Sequence, residues 1–513
     1  MTAIEPGRVV AVVGTGTMGQ GIAQVALVAG HPVRLHDAVP GRAEQAAVSI
    51  TGRLDRLVEK GRLDAGARDA ARARLYPAAR LAELADAALV VEAVLEQLPV
   101  KRELFAALED IVADDCLLAT NTSSLSVTAV AGALRLPGRF VGLHFFNPAP
   151  LLPLVEVVSG FATEDAAALS VYETARAWGR TPVRCADTPG FIVNRVARPF
   201  YAEALRVYEE RAADPATIDA VLRECGGFRM GPFELTDLIG QDVNEAVTRS
   251  VWESFFQDPK FTPSLAQRRL VESGRLGRKT GQGWFSYGER AAGPQGAAGP
   301  QAHTAGLCEA PDAVGLHADL GPAAVLREMI EEAGIKVTRD RSPHLSDGFL
   351  TLPGGTRLGL TDGSTATGDP SGAYIHFDLA LDYRACTRVA LAPGADADPE
   401  DVRAAIGLFQ RLGKQVSVIA DTPGMIVGRT VAMLIDFAVD AAAREVASAG
   451  DIDTAMKLGV NYPGGPGEWC DQLGARWAER FLATLDGQYP GGRYAASTAL
   501  RRRADLEAKQ VRS

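Results

Sequence analysis

The sequence predicts an α/β fold class: a parallel-sheet domain leads into an all-α domain, followed by a reduced α/β segment and a second copy of the all-α domain. Three observations predict it. A short apolar strand near the start runs into a glycine-rich turn and then a helix. The composition turns helical after Glu156. A ten-residue stretch of the first half returns almost unchanged in the second.

At 513 residues the chain is too long for a single core and should divide into about three or four domains. Hydrophobic content of 47% with 23% charge describes an ordinary globular protein. A net charge of -10 without a compensating basic block argues against nucleic acid as a partner, though a few local Lys or Arg can still hold an anionic small ligand. Cysteines 116, 185, 225, 308, 386 and 470 are scattered, with neither a C-x-x-C pair nor metal-ligand spacing, so no metal is expected and a reducing cytoplasm suits them. The first residues enter a strand without a basic and then apolar leader, and no run of about 18 apolar residues occurs. A cytoplasmic location and no membrane partner are the expectation.

Arg8 to Val13 (RVVAVV) reads as a central parallel strand. Gly14-Thr15-Gly16-Thr17-Met18-Gly19 follows at once, and Ile22 to Ala29 reads as a helix. In such a G-x-G-x-x-G turn the first glycine permits the tight bend and the second lets the backbone approach a pyrophosphate. The third lets helix and strand pack closely, with the helix N-terminus facing the negative charge. A second strand, Val33 to His36, ends in Asp37, 23 positions after Gly14 and near the spacing of a ribose-hydroxyl ligand. This is a Rossmann-type arrangement. Asp37 would repel a 2′-phosphate, so NAD is expected as cofactor rather than NADP.

Glu44 to Arg74 reads as a helix or helical pair projecting from the sheet, Leu89 to Val94 as a strand and Glu103 to Ile111 as a helix. Leu117 to Thr120 is a strand running into Asn121-Thr122-Ser123-Ser124, at the end of the strand where an open α/β sheet places ligand contacts. A helix cap would account for these small polar residues equally well. In Val141 to Val158 (VGLHFFNPAPLLPLVEVV) two apolar strands flank a proline-broken turn, and only His144 and Glu156 can titrate. Strands joined by Asn147-Pro148-Ala149-Pro150 can set these two side by side. A carboxylate beside an imidazole fixes its tautomer and makes it a usable general base. Taken alone, the pair also fits a core histidine with a satisfied partner.

Ala186 opens a helical segment that runs to Tyr287, and a Gly/Ala/Pro-rich linker follows. ADTPGFIVNR at 186–195 returns as ADTPGMIVGR at 420–429, eight of ten positions matching at an offset of 234, and the match continues without gaps through Gly240 and Gly474. Residues 310–419 show weak strand-helix alternation. Ala333 to Asp340 faintly echoes Ala29 to Asp37, but no glycine fingerprint precedes it, so a degenerate Rossmann-like segment that does not bind nucleotide is expected. The domains are therefore taken as 1–185, 186–287, a linker at 288–309, 310–419 and 420–513.

In order and spacing, GTGTMGQGIAQ, EAVLEQLPVKRELF, NTSSLS, GLHFFNPAP, DTPGFIVNR, GPFELTDLIG and GRKTGQGWF resemble the L-3-hydroxyacyl-CoA dehydrogenases over about residues 7–287. The long form with a duplicated helical domain resembles the bacterial enzymes of phenylacetate and β-oxidation-type catabolism. The resemblance implies catalytic roles for His144, Glu156, Ser123 and Asn194. It implies NAD contacts from Gly14, Gly16, Thr17, Met18, Gly19, Asp37, Glu96, Lys101, Ser123, Asn147 and Lys279. It also implies an acyl-CoA substrate, met by Ser123 and Asn194 and, at its Coenzyme A end, by Lys60 and by Arg53, which stands in a serine's place. Pro153 stands where family members often carry lysine, and Gly428 replaces the asparagine in the second copy.

Oxidising a secondary alcohol requires its proton to be removed as hydride leaves the same carbon, and His144 can take that proton. Two other readings stay open: a β-hydroxyacid dehydrogenase acting on a free acid, and a non-catalytic NAD-binding or crystallin-like structural protein. In short members of the family two helical domains from two subunits pack together. With both copies on one chain, an internal pseudo-dimer of residues 186–287 with 420–513 is expected, and further homo-oligomers through another face are left open.

Overall fold

The computed structural model describes residues 2–287, 301–340, 348–370 and 372–510, so most of the expected linker, 288–300, lies outside the described residues. The chain divides into two compact units. One comprises 1–195 with 441–460, and the other 196–440 with 461–513.

The first unit is built on an eight-stranded sheet. Its strands are β1 (Val9–Val13), β2 (Val33–His36), β3 (Leu75–Ala78), β4 (Ala87–Glu92), β5 (Leu117–Thr120), β6 (Phe140–Phe145), β7 (Leu154–Ser159) and β8 (Thr181–Ala186). They lie in the order β3-β2-β1-β4-β5-β6-β7-β8. All neighbours are parallel except β6 and β7. The strand order reverses at β1, between β2 and β4, which opens a crevice at the carboxyl ends of the strands. All six residues of β4 are buried, as expected of a parallel strand covered on both faces. Six helices follow the strands: α1 (Thr17–Val28), α2 (Arg42–Glu59), α3 (Ala65–Ala73), α4 (Leu98–Glu109), α5 (Val127–Ala131) and α6 (Asp165–Ala177). The expected helical pair is α2 and α3, but it does not stand away from the body. Ala46, Ile50, Leu54 and Ala71 join the core that holds Ile22 of α1 and Leu35 of β2.

Short α7 (Val193–Val196) ends the contiguous part of this unit. The second unit opens with α8 (Arg198–Glu209), α9 (Pro215–Glu224), α10 (Pro232–Ile239), α11 (Gln241–Ser254) and α12 (Leu265–Glu272). A seven-stranded sheet follows: β9 (Ala313–His317), β10 (Lys336–Asp340), β11 (Phe349–Thr351), β12 (Arg357–Leu360), β13 (Tyr374–Phe377), β14 (Arg388–Pro393) and β15 (Gln415–Val418). The remaining helices of the chain are α13 (Val325–Glu332), α14 (Pro399–Arg411), α15 (Val427–Ala443), α16 (Ala449–Gly459), α17 (Pro466–Leu473), α18 (Ala475–Gln488) and α19 (Thr498–Gln510), of which α16 belongs to the first unit.

The repeat reaches further upstream than residue 420. At the same offset of 234, α15 spans α7 and α8, α17 matches α10 and α18 matches α11. Before them α14 matches α6, β14 matches β7, and β13 begins where β6 does. The second sheet, β10-β9-β11-β12-β13-β14-β15, also follows the first place for place. It lacks a partner for β3, and antiparallel β11 stands where parallel β4 stands in the first. In the turn after β9, Ala318 keeps the left-handed backbone of Gly14 (φ 57° against 94°), while buried Leu320 occupies the place of Gly16. A leucine side chain there fills space that stays open at Gly16.

Equivalent residues make reciprocal bonds. In the first unit the Ala186 N–H donates to Val446 O (2.8 Å), and in the second the Ala420 N–H donates to Ala212 O (2.9 Å). Ala420 lies 234 residues after Ala186, and Val446 lies 234 after Ala212. In the same way α16 packs on β7 and β8 while α9 packs on β14. Within the second unit, Phe200 and Phe228 meet the rings of Tyr462 and Trp469, and Lys260 pairs with buried Asp436 at 2.6 Å. Among the described residues no helix is long and apolar enough to cross a membrane.

Candidate active site

The glycine turn has the geometry its spacing implies. Gly14 has φ 94°, and a Cβ there would lie 2.5 Å from Ala93 O; a Cβ on Gly19 would lie 1.8 Å from Gly14 O. A Cβ on Gly16 would meet nothing within 4 Å, so the backbone of this turn is open to an approaching group. Gly16 also caps α1, with Thr17 and Met18 in its first turn. Asp37 Oδ2 accepts from the Thr15 N–H (2.9 Å) and hydroxyl (2.7 Å), and Oδ1 accepts from Val39 N. Burial pushes this carboxyl up, but the bonds from Thr15 and Val39 and the charge of Arg42 outweigh it and hold it below the usual carboxylate range. A turn of this shape can hold the pyrophosphate of a dinucleotide, and the Asp37 carboxylate could accept from a ribose hydroxyl.

A buried ion network stands beside it. Lys101 is 1% exposed and pairs with Glu92 Oε1 at 2.6 Å and Glu96 Oε2 at 3.2 Å. Glu92 also accepts from Thr120 Oγ1 and Val94 N. Glu96 Oε1 gathers the Thr122 hydroxyl and the Ser123 and Ser124 N–H groups, bracing the turn after β5. Burial raises the Glu96 carboxyl, yet Lys101 and these hydrogen bonds bring it down to about 2. A folded-state value below the ordinary 4.5 contributes stability that is present above about pH 4.5 and lost as pH falls toward 2. Glu96→Gln should therefore lower Tm at neutral pH, with the gap to wild type closing as pH falls from 4.5. A gap that does not vary with pH would contradict this.

His144 and Glu156 are directly opposed in the antiparallel β6/β7 pair. The Nδ1–Oε2 distance is 2.6 Å, with both residues buried. Phe146 and Phe191 lie against the imidazole, their ring centres 4.5 and 5.8 Å away. Glu156 Oε1 accepts from the Ile192 and Val193 N–H groups at the start of α7, so one carboxylate ties the histidine to the residues just before Asn194. Asn121 Oδ1 accepts from Phe145 N (2.8 Å), which fixes the turn carrying Ser123 to the strand carrying His144. Among the described residues neither the Ser123 hydroxyl nor the Asn194 amide has a side-chain hydrogen bond, and both are half-buried. Both can therefore meet a ligand.

The other expected contacts are dispersed. Asn147 is exposed on the turn between β6 and β7, where the peptide before Pro148 is cis. Arg53 donates to Gln20 Oε1 (2.8 Å), and Gln20 in turn donates to Thr15 O, so Arg53 is linked to the glycine turn. Lys60 is exposed at the C-terminal end of α2. Lys279 belongs to the second unit, where its ammonium holds both oxygens of Asp242 at 2.5 and 2.7 Å. Pro153 precedes β7 and accepts from Thr181 N. Sequence reasoning missed Glu92, although one charge inside the apolar run LVVEAV was a usable signal. It also missed Asp187, which accepts from Ser126 Oγ and Thr128 N.

The second copy holds different chemistry. At the offset of 234, Asp378 stands for His144, Ala390 for Glu156 and Gly428 for Asn194. Asp378 accepts from the N–H groups of Ile426, Val427 and Gly428, so a carboxylate still holds the helix start, but from the histidine's position.

Residues 9–188 match the family described as 3-hydroxyacyl-CoA dehydrogenase, NAD binding domain, and 190–287 and 424–513 match its C-terminal domain. Residues 358–423 match the 3-hydroxybutyryl-CoA dehydrogenase reduced Rossmann-fold domain. The 3-hydroxyadipyl-CoA dehydrogenase of Escherichia coli (strain K12) is 43% identical over 505 residues, 98% of each chain. A probable 3-hydroxybutyryl-CoA dehydrogenase of Deinococcus radiodurans is 40% identical over 276 residues, 54% of this chain and 99% of its own. A crystal structure of 3-hydroxybutyryl-CoA dehydrogenase from Escherichia coli K12 superimposes with a TM-score of 0.87 at 42% identity, covering 99% of this chain and 100% of that one.

Proposed function

The chain belongs to the 3-hydroxyacyl-CoA dehydrogenase family and is an NAD-dependent oxidoreductase that interconverts L-3-hydroxyacyl-CoA and 3-ketoacyl-CoA, and from this premise we propose that His144 is its general base. The buried 2.6 Å contact between His144 and Glu156 carries the reading. Glu156 holds Nδ1, which leaves Nε2 to take the hydroxyl proton, and its charge stabilises the imidazolium that results. Ser123 and Asn194 hydrogen-bond the substrate oxygen or the thioester carbonyl and so orient C3. In reverse, the histidine protonates the oxygen of the 3-ketoacyl thioester. NAD, when bound, accepts the hydride; Gly14 to Gly19 and Asp37 would hold it, with contacts from Glu96, Lys101 and Asn147, while Arg53 and Lys60 serve the Coenzyme A end. A location in the cytoplasm suits this chemistry.

For the acyl chain we favour 3-hydroxyadipyl-CoA, in line with the name of the full-length relative. The name of the solved relative favours 3-hydroxybutyryl-CoA as the second reading. Following NADH absorbance with each thioester, and with a free 3-hydroxy acid, tests both. A higher kcat/KM for the butyryl thioester selects the second reading, and turnover of the free acid alone removes both. Wild-type enzyme should also prefer NAD over NADP by at least about 10²-fold in kcat/KM, because Asp37 meets the ribose. Equal values would show that it does not.

The domain division at 185, 287, 309 and 419 goes with an internal pseudo-dimer of the two helical copies. An isologous contact has residue i meeting j and j meeting i, and the Ala186–Val446 and Ala420–Ala212 bonds support that pattern. The second copy would bury the apolar face of the first and need no active site. Truncation near residue 288 should leave a piece that re-dimerises or aggregates. A stable, active monomer would overturn this reading.

A further inference from the structure

Arg198, on α8, is 5% exposed. Among the described residues its one side-chain hydrogen bond runs from Nη1 to Thr248 Oγ1 on α11, at 3.0 Å. The ring of Tyr201 lies 5.0 Å from its guanidinium carbon. None of the described carboxylates pairs with it, and its Nε–H is buried without an acceptor. Arg206, further along the same helix, is half-buried. Its Nε–H is also buried without an acceptor. Its nearest carboxylate, Glu203, lies 4.0 Å away and already serves Arg429 and Arg493 at 3.3 Å each.

The two guanidiniums line one cavity of about 20 Å³, together with Thr248, Ser264, Gln267 and Glu209. Three hydroxyl protons in its wall are committed: Thr248 donates to Asn244 O, Thr262 to Pro259 O and Ser264 to Glu209. Glu209 is exposed and turns Oε1 to Ser264 and to Ala266 N. Arg198, which pairs with none of the described carboxylates, and Arg206, whose partner Glu203 at 4.0 Å is shared with Arg429 and Arg493, therefore border one void with orphaned Nε–H donors. Burial of a charge without a partner is disfavoured because the lost hydration is not replaced. Burial accordingly presses both guanidiniums toward their neutral form.

We infer that this cavity binds one monovalent anion of halide size, which accepts from Arg198 and Arg206 and neutralises them. A cavity of about 20 Å³ suits one small ion rather than a bulky ligand. Neutral water would satisfy the orphaned donors but not the charge. Bound chloride would be a built-in structural ligand of the helical region, and stability would depend on the anion present.

The test measures Tm of the full-length protein at constant ionic strength, with potassium chloride or bromide replacing potassium gluconate. The expected result is a saturable rise of about 3 °C in either halide. Arg198→Met should abolish that response. If this variant does not fold, Thr248→Val, which frees Arg198 of one hydrogen bond, should shift the response to higher halide concentration. Crystals grown in bromide should show an anomalous peak in the cavity. Equal Tm in all three salts, an undiminished halide response in both variants, or water alone in the cavity would each overturn the inference.

Discussion

His144→Ala is expected to lower kcat by at least about 10²-fold while leaving NAD affinity nearly unchanged. The imidazole is buried on β6, and its position is fixed by Glu156 at 2.6 Å, so no nearby group in that strand pair can take over the proton. The glycine turn and Asp37 directly follow β1 and β2 and do not depend on this ring. Glu156→Gln should also lose turnover, because an amide neither fixes the tautomer nor stabilises the imidazolium. Glu156 additionally caps the start of α7 through Ile192 and Val193, so this variant should be less stable by about 1–3 kcal/mol. Steady-state NADH absorbance gives kcat, and NAD titration gives the affinity. Near-normal turnover in both variants would sink the assignment of the base.

Glu203→Gln should destabilise the second unit by about 3–5 kcal/mol, lowering Tm by on the order of 10 °C. Glu203 is 0% exposed. It meets Arg429 and Arg493 at 3.3 Å, has Arg206 at 4.0 Å, and accepts from the Tyr494 hydroxyl at 2.7 Å. Burial pushes its carboxyl up, but the three arginines and Tyr494 outweigh that and keep it ionised below its ordinary range. Removing this one charge leaves Arg429, itself 0% exposed, with Glu210 as its remaining acid and Arg493 with none among the described residues. Differential scanning calorimetry would show the shift, and activity at 25 °C should persist because the candidate catalytic residues lie in the first unit. A change of only 1–2 °C in Tm would mean the cluster is dispensable.

Much of the site was legible because its signals are local. The glycine turn, Asp37 and the His144/Glu156 spacing each lie within a strand, a turn or one pair of strands, where periodicity and steric rules speak directly. The repeat was legible at Ala420 to Arg429 for the same reason. The upstream part, β13 to α14, was hidden because identity has faded there while backbone length has not. Nothing in the residues said that Asp378 had taken the histidine's place to hold a helix start. Leu75–Ala78 was missed because a four-residue edge strand containing Pro77 carries little β pattern. Glu92 and Lys101 were hard to interpret because their pairing is a tertiary event across β4 and α4.

The place of α16 in the first unit bears on how the chain is made. Residues 1–195 leave the ribosome first, but residues 441–460, which complete their unit, follow about 250 residues later. At ordinary rates of translation that interval is on the order of tens of seconds. During it the nascent sheet carries β7 and β8 without the helix that packs on them, and Leu154 and Val193 lack their contacts with Gly459. The part of the unit that emerges first is therefore completed only by a helix made much later, and until then β7 and β8 stand without their cover.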